Sequence, residues 1–377
     1  MGRFPFPRNE RNERLCYPRS AEPEDVRLAF ERFRAEIVTA EGALGFLRTR
    51  RPDTPDGVVN STVSEGIAYG MIIAVMMDEQ PMFDGLFQYA LRWFNENGLM
   101  DWYIAPDGSR ALGAGGATDS DEDMAWALIM ADRQWGGGGA LSESYIAHAR
   151  RQIDRVFRLE VDHEARPDML LPGDDWRGRD VFNPSYFAPH QYRLFGEVTE
   201  NTAGWQRVID RGYAIVDASL KGRDNGLVPA WCTAAGDPVE AFPGAMTNYQ
   251  YDSARTPFRI GQDFAYHGDS RAAAYLAMTS RFFAGVGADQ IVDGYTLDGH
   301  PAPDPHSQRS SPGSAVFVGA AAVGAMHDPR YQAFVDAAYE RVKRGDLLAR
   351  SRYYNHCWTV LSLLMMTGNL TNLPEAR

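Results

Sequence analysis

Apolar residues recur at intervals of three and four positions along almost the whole chain, and glycine, proline and aspartate interrupt them. This spacing is typical of helices with a buried face, whereas the strict alternation that indicates strands is scarce. The pattern predicts about twelve helices. They cover residues 22–39, 64–77, 82–95, 119–135, 142–157, 183–195, 202–220, 252–266, 269–283, 312–326, 329–344 and 353–366.

Four long connections separate some of these helices and carry many of the tryptophan, glycine, proline and aspartate residues. They span 98–118, 160–182, 224–250 and 287–311. Connections of this length in a compact domain are usually functional. Alternating short and long connections predict an all-α fold, an (α/α)6 barrel of six helical hairpins with the long loops forming a cleft on one face. We expect a single domain over 21–377, preceded by an Arg-rich and Pro-rich extension over 1–20.

Composition narrows the class of protein. A chain of 377 residues that is 44% hydrophobic can bury a large core, and its net charge of -12 opposes binding to nucleic acid. The longest apolar stretches, 315–325 and 360–366, are shorter than the roughly 20 residues that cross a bilayer. No export signal is visible over residues 1–8. Three scattered cysteines, Cys16, Cys232 and Cys357, allow at most one disulfide.

Three acidic clusters lie beside aromatic or basic residues, at 64–71, 117–123 and 251–255. Their carboxylates are Glu65, Asp119 and Asp252, with Asp121 beside the second. Two carboxyl groups with different proton affinities on either side of a sugar bond are the apparatus of glycoside hydrolysis. The clusters therefore predict acid–base chemistry on a carbohydrate.

Each cluster also has a purely structural interpretation. Thr62 and Glu65 have the spacing of a capping box. A helix N-terminus favours the ionised carboxylate, so a proton donor there needs burial against aromatics such as Tyr69 and a second carboxylate nearby. Asp252 and Arg255 have the spacing of an ion pair, which would keep Asp252 ionised, as a general base requires.

Asp119 could cap a helix with Glu122 three residues later. The same run begins like a calcium loop but has Met124 where the loop needs glycine and Met130 where it needs glutamate. The chain has no zinc motif, phosphate-binding loop or serine nucleophile elbow. We therefore expect neither a catalytic metal nor a cofactor.

Aromatic residues accumulate in or beside the long loops, where they suit a cleft that stacks on sugar rings. The main candidates are Trp102, Trp176, Tyr186, Tyr251, Tyr353 and Tyr354.

In order and spacing, four motifs resemble glycoside hydrolase family 8, a family of inverting, endo-acting glycanases. They are Ser64-Glu65-Gly66 with Tyr69-Gly70-Met71, Ala117-Thr118-Asp119-Ser120-Asp121, Asn183-Pro184-Ser185-Tyr186-Phe187, and Tyr251-Asp252 with Arg255. The resemblance extends over 65–368 and implies an (α/α)6 barrel. One departure is Ser120, where the family usually has alanine or glycine.

The resemblance also implies roles for individual residues. Glu65 matches the proton donor, Asp252 the general base, and Asp119 the carboxylate that binds the central sugar. The residues that match positioners of the base or of the reactive water are Arg255, Tyr186 and Tyr251. Two tryptophans look like stacking platforms, Trp102 and Trp176. The resemblance also leads us to expect substrate binding by Asp121, Tyr353 and Tyr354.

These matches favour an inverting enzyme that cleaves internal β-1,4 bonds in cellulose-like or mixed-linkage β-glucan. Xylanase and chitosanase activities of the same family stay open, as does a non-catalytic glycan-binding protein. The partners expected are β-linked polysaccharides or oligosaccharides, with no nucleic acid and no membrane. Family and substrate together suggest a monomer that is secreted or periplasmic.

Overall fold

The computed structural model describes residues 2–54, 57–302, 313–345 and 352–375. Within these ranges the chain forms thirteen α-helices, of which one is a single turn, and seven strands of two or three residues. The helices are α1 (Pro23–Glu36), α2 (Ser64–Met76), α3 (Gln80–Arg92), α4 (Thr118–Trp135), α5 (Tyr145–Leu159), α6 (Pro189–Val198), α7 (Thr202–Leu220), α8 (Tyr251–Ala254), α9 (Thr256–His267), α10 (Ser270–Val286), α11 (Ala315–Ala325), α12 (Gln332–Lys343) and α13 (Arg352–Met366). The strands are β1 (Val38–Thr39), β2 (Arg48–Thr49), β3 (Thr62–Val63), β4 (Tyr103–Ile104), β5 (Ala111–Gly113), β6 (Val161–Asp162) and β7 (Met169–Leu170).

Six helices form a closed inner ring in the order α2, α4, α6, α9, α11 and α13, and α13 packs back against α2. The other long helices, α1, α3, α5, α7, α10 and α12, lie outside this ring and pack against it. Each inner helix packs against the outer helix that follows it in the chain, and α13 packs against α1. The predicted all-α (α/α)6 barrel is therefore confirmed.

Hydrophobicity explains which helices lie inside. Every residue of α11 is buried, and α2 is buried except at Glu65. A helix that is apolar on all sides must be surrounded by protein, whereas outer helices such as α5 bury a single stripe. Small residues let the inner helices approach closely. A Cβ on Gly319 of α11 would lie 2.1 Å from the Ser362 hydroxyl oxygen of α13.

The predicted N-terminal extension crosses the barrel end where the inner helices finish. Arg8 donates a hydrogen bond to the carbonyl of Met76 at the end of α2. The Cys16 amide donates to the carbonyl of Met326, just past α11. These contacts leave the opposite end, where the inner helices begin, to the long loops.

Two predicted helices differ from the structure more than the others do. The segment predicted over 183–195 begins its helix only at Pro189, because the Asn183 side chain accepts hydrogen bonds from the amide and hydroxyl of Ser185 and forms a turn instead. The segment predicted over 252–266 is divided at Arg255 into α8 and α9. Pro257 lies in the first turn of α9, a position where proline suits a helix start.

The three cysteines are all described, and each is a free thiol. No disulfide therefore contributes to this fold. Across the described ranges, no helix combines the length and apolarity needed to cross a membrane.

Candidate active site

The inner helices bring two of the predicted carboxylates together at their N-terminal ends. Glu65 is the second residue of α2, and Asp119 is the second residue of α4. The buried Arg255 joins them, because its Nη1 donates to Glu65 Oε1 at 2.5 Å and to Asp119 Oδ2 at 2.5 Å. Two residues that are distant in sequence thus share one guanidinium group.

A small antiparallel sheet fixes the start of α2 beside the cleft. Strands β3, β4 and β5 pair in that order, and β3 leads directly into α2. The Ser64 amide donates to the carbonyl of Trp102 at 2.9 Å, just before β4. The sheet therefore holds the predicted stacking residue Trp102 next to the helix turn that carries Glu65.

Phenol groups hold the Glu65 carboxylate from two further sides. The hydroxyl of Tyr69, one helical turn later, donates to Oε1 at 2.9 Å, and the Tyr353 hydroxyl donates to Oε2 at 3.1 Å. The Glu65 side chain remains 22% exposed. The expected packing against Tyr69 is thus present, and the carboxyl group is still open to a ligand.

The predicted capping box at Glu65 is wrong. The residue that precedes α2 is Val63, and no side chain caps this helix. Thr62 lies in β3, where its hydroxyl donates to the Thr49 carbonyl at 2.7 Å and accepts from Arg48 at 3.0 Å. The Thr62 hydroxyl therefore bonds to residues of β2 and is not available to cap α2.

Asp119 is almost completely buried, with 3% of the residue exposed. Burial, together with the charge of Glu65, raises the pKa of this carboxyl to about 7, although Arg255 opposes both effects. Near neutral pH, both the protonated and the ionised forms of Asp119 are therefore populated.

The predicted capping role of Asp119 is wrong, because α4 begins at Thr118 after Ala117 and has no side-chain cap. Glu122 instead accepts a hydrogen bond from the Tyr192 hydroxyl at 2.7 Å. Ser120, the departure from the family pattern, shares a 2.7 Å hydroxyl–hydroxyl bond with Ser64. This bond connects the first turns of α2 and α4.

Asp252 lies in the one-turn helix α8 on the other side of Arg255, and its side chain is 34% exposed. The predicted ion pair is present but long, since Arg255 Nη2 is 3.9 Å from Asp252 Oδ1. The two contacts across one rigid guanidinium limit the distance from Glu65 Oε1 to Asp252 Oδ1 to at most about 9 Å. Glu65, Asp119 and Asp252 therefore form one group around Arg255.

Arg255 itself is held by residues of the loop before α6. Its Nε donates to the Ser185 hydroxyl at 3.1 Å, and its guanidinium lies over the Tyr186 ring, 5.1 Å from the centroid. Arg255 was expected to position the base, yet its shortest hydrogen bonds go to Glu65 and Asp119. Sequence reasoning did not assign Ser185 a role, although it lies inside the quoted motif that starts at Asn183.

The predicted stacking residues differ in exposure. Trp102 is 43% exposed and stacks on Tyr103, whereas Trp176 is half-buried and lies parallel to Trp231 at 5.9 Å. Tyr353 and Tyr354 are at most 9% exposed. Trp102 is thus the more open of the two tryptophans, since the Trp176 ring is also covered by the Arg179 guanidinium at 4.7 Å, while the two tyrosines line the wall behind Glu65.

The structure does not bring Asp121 to the cleft. This residue is fully buried, and its Oδ1 accepts from Gln152 Nε2 of the outer helix α5 at 2.9 Å. Burial, followed by the charge of Asp174, raises its pKa well above the usual range. Asp121 was expected to contact substrate, but it lies in the wall between α4 and α5. Alternate residues at a helix start face different directions, which a motif alone does not reveal.

Tyr251 is anchored beside Asp252. Its hydroxyl donates to Asp293 Oδ2 at 2.8 Å, and its ring packs on Tyr354. Nothing in the sequence pattern singles out Asp293. Throughout the described ranges, no group of three or more His, Cys, Asp or Glu residues is arranged to hold a metal ion.

Comparison with known proteins assigns the chain to one family of enzymes. The model of the family described as Glycosyl hydrolases family 8 matches residues 14–368. Endoglucanase A of Acetivibrio thermocellus is 38% identical over 92% of this chain and 70% of its own length. Endoglucanase 2 of Ruminiclostridium josui is 36% identical over 98% of this chain and 78% of its own length.

A solved structure of similar shape is the apo form of a β-1,3-1,4-glucanase from Paenibacillus sp. X4. Its TM-score is 0.85 at 25% identity, and the match covers 97% of this chain and 98% of that one. A cold-adapted family 8 xylanase has a TM-score of 0.76 at 17% identity over 94% of this chain and 93% of its own, so it supports the fold alone.

Proposed function

Since the chain belongs to glycoside hydrolase family 8, we propose that it is an inverting, endo-acting enzyme that cleaves internal β-1,4 linkages of cellulose-like or mixed-linkage β-1,3-1,4-glucan. The similar proteins that carry the names endoglucanase and β-1,3-1,4-glucanase support this substrate class. One structural observation supports the chemistry most directly: Arg255 contacts Glu65, Asp119 and Asp252.

In the proposed reaction Glu65 donates its proton to the glycosidic oxygen as the bond from that oxygen to the anomeric carbon breaks. A water oxygen bonds to the anomeric carbon from the opposite face and gives its proton to Asp252. The enzyme then holds an ionised Glu65 and a protonated Asp252, and exchange with solvent restores the starting state. The configuration at the anomeric carbon is inverted.

The separation of the carboxyl groups is compatible with this order of events. Inverting enzymes need about 6.5–9.5 Å between the two groups, because a water molecule must fit beside the sugar. The upper limit of about 9 Å set by Arg255 agrees with that range. The exposure of Asp252 supports access of water to the base.

Asp119 has a different role in this proposal. It is buried at the start of α4 and can accept a hydrogen bond from a hydroxyl of the sugar whose bond is broken. Its contact with Arg255 Nη1 ties its position to that of Glu65. The substrate hydroxyl and the proton donor are thereby held in a fixed relation, which positions the glycosidic oxygen for protonation.

The deciding experiment compares Glu65→Gln and Asp252→Asn on two kinds of substrate. With β-glucan, each variant should lose at least about a hundredfold in kcat with little change in melting temperature. With a dinitrophenyl cellotrioside, whose leaving group needs no protonation, Glu65→Gln should recover activity but Asp252→Asn should not. Near-normal β-glucan turnover in either variant removes that residue from the mechanism.

Stereochemistry and substrate are tested on the wild-type enzyme. Proton NMR of early products from mixed-linkage glucan should show the α-anomer first, and release of the β-anomer would contradict inversion. Reducing-end assays on barley β-glucan, carboxymethylcellulose, xylan and chitosan should give the highest rate on a glucan. A higher rate on xylan or chitosan would replace the proposed substrate with that alternative.

A polymeric glucan does not enter cells, so we also propose that the enzyme acts in the periplasm or outside the cell. Residues 21–377 are proposed to act as one catalytic domain and as a monomer. Light scattering during gel filtration checks the monomer, for which a mass near 42.0 kDa is expected.

A further inference from the structure

Tyr353 is a buried tyrosine at the start of the inner helix α13, in contact with the proposed proton donor. It is the second residue of α13, which packs against α2, and 6% of it is exposed. Its hydroxyl donates a hydrogen bond to Glu65 Oε2 at 3.1 Å. Burial, followed by the charge of Glu65, raises the pKa of Tyr353 well above its ordinary value of 10. The hydroxyl therefore keeps its hydrogen at neutral pH and remains a donor.

The glycine that follows Glu65 explains how Tyr353 comes so close. A Cβ on Gly66 would lie 2.7 Å from Tyr353 Cε2 and 3.3 Å from Cζ, so the ring packs where a side chain would otherwise lie. The Tyr354 ring lies beside it, with centroids 5.9 Å apart. The Tyr353 hydroxyl is thus held against the helix turn that carries the proton donor.

The two oxygens of the Glu65 carboxyl group have different surroundings. A carboxyl oxygen has about two lone-pair positions that can accept hydrogen bonds. Oε1 accepts from the Tyr69 hydroxyl at 2.9 Å and from Arg255 Nη1 at 2.5 Å, so both of its positions are filled. Within the described ranges, Tyr353 is the one donor to Oε2. A proton on Glu65 therefore has room on Oε2 and none on Oε1.

Proton donation changes the charge on the oxygen that Tyr353 contacts. While Glu65 is protonated, Oε2 is a neutral hydroxyl oxygen, and after transfer to the glycosidic oxygen it belongs to a carboxylate. A hydrogen bond to an ionised acceptor is roughly twice as strong as one between neutral groups. The bond from Tyr353 therefore strengthens as the proton leaves, and only interactions that strengthen in the transition state accelerate a reaction.

We propose that Tyr353 is a positioning residue for the catalytic proton: its hydroxyl fills one position on Glu65 Oε2, confines the proton to the other, and stabilises the charge that develops as the proton leaves. The inference rests on the proposed glycoside hydrolase function and deepens it at the acid side of the site. Tyr353 acts through Glu65 and needs no contact with the sugar.

The test variant is Tyr353→Phe, which keeps the ring and its packing on Gly66. On β-glucan we expect kcat to fall about 10- to 100-fold with KM changed less than about threefold. On a dinitrophenyl cellotrioside, whose leaving group needs no proton, kcat should stay within about threefold of wild type. An equal fall in kcat on both substrates, or a change confined to KM, would overturn the proposal.

Combination with Glu65→Gln tests whether Tyr353 acts through the carboxyl group. Glutamine cannot donate a proton as an acid, so the double variant should be no slower on β-glucan than Glu65→Gln alone. Losses that multiply would overturn the proposal. If Glu65→Gln and Asp252→Asn lose activity as expected but Tyr353→Phe equals wild type on β-glucan, this inference fails and the proposed function stands.

The contact with Gly66 provides a second variant that leaves the hydroxyl group in the chain but displaces it. The Cβ of Gly66→Ala would meet Tyr353 Cε2 and Thr49 Oγ1, each at 2.7 Å. The change is therefore made together with Thr49→Ala, and Thr49→Ala alone is its reference. Relative to that reference, kcat should fall on β-glucan and be preserved on the dinitrophenyl substrate. Unchanged kcat on β-glucan would overturn the proposal even if Tyr353→Phe does not fold.

Tyr213 provides a matched control on the outer helix α7. Its hydroxyl also donates to a buried carboxylate, Asp263 Oδ2 at 2.6 Å, and the residue is itself buried. Asp263 lies in α9 two turns after Arg255, outside the group of catalytic carboxylates. Tyr213→Phe makes the same chemical change and should leave kcat on β-glucan within about twofold of wild type. An equal fall in both variants would show that the loss of a buried hydroxyl, and not its contact with Glu65, is responsible.

Discussion

Replacing Asp119 with asparagine should separate the contribution of this residue to stability from its contribution to activity. Burial raises the folded-state pKa of Asp119 from 3.8 to about 7. The stability that the protonated group contributes is complete below pH 3.8 and is lost as the pH rises through 7. At about 1.4 kcal/mol for each tenfold change in proton affinity, this loss amounts to about 4 kcal/mol. Asparagine cannot ionise, so the stability of the Asp119→Asn variant should not show this loss as the pH rises.

Urea unfolding of wild type and Asp119→Asn, followed by circular dichroism between pH 4.5 and 8, measures this effect. The free energy of unfolding of the variant minus that of wild type should increase by about 3–4 kcal/mol over this range. Comparing differences cancels the constant cost of losing the Arg255 contact. Activity should be lower than in wild type above about pH 7, where Asp119 is ionised and the sugar hydroxyl of the variant lacks its charged acceptor.

Asp269 supplies a control of opposite sign. Although burial opposes the effect, hydrogen bonds from Arg271 and the charge of Arg193 lower the pKa of Asp269 to about 2. Its stabilisation is present above pH 3.8 and is lost only as the pH falls toward 2. The difference between Asp269→Asn and wild type should therefore stay nearly constant from pH 4.5 to 8. An equally flat difference for Asp119→Asn would refute the burial argument.

Three further outcomes are expected. Ser120→Ala should lower the free energy of unfolding by about 1–3 kcal/mol by leaving the buried Ser64 hydroxyl without this partner, and Ser64→Ala with Ser120→Ala should cost less than the summed single changes in urea titration; additive costs would contradict the link. The melting temperature of Glu160→Gln minus that of wild type should be larger at pH 8 than at pH 5, because burial and the charge of Asp121 raise the pKa of Glu160 and ionisation then destabilises wild type alone. A difference that does not change with pH would contradict this. Trp176→Ala should raise KM for long cello-oligosaccharides about tenfold with kcat nearly unchanged, and an unchanged KM would exclude stacking there.

The ring of helices could be predicted from the sequence because its signal is local. Helices such as α2 and α11 are apolar on every side, and this pattern survives in any packing arrangement. Helix ends were harder to predict, because distant residues compete for capping groups. Thr62 has the right spacing to cap α2, but β3 pairs with β4 and the hydroxyl bonds to Thr49 instead.

The carboxylates of the site were predictable from their motifs, but the contacts among them were not. Arg255 is three residues from Asp252 and would be assigned to it on spacing alone. Its shortest bonds go to Glu65 and Asp119, which lie more than a hundred residues away in sequence. Asp121 shows the converse error, because it shares a motif with Asp119 but faces the outer helix α5.

The arrangement of inner helices explains how one arginine, Arg255, contacts several acidic residues. In a ring of hairpins, all inner helices run in the same direction, so their first turns meet at one end of the barrel. Glu65 and Asp119 both occupy second positions of such helices and converge on the same point. Arg255 lies at the start of α9, which belongs to the same ring, and reaches that point from the opposite side. Arg255 keeps helical backbone angles between α8 and α9, so Asp252 lies one turn before it and stays within 3.9 Å of its Nη2.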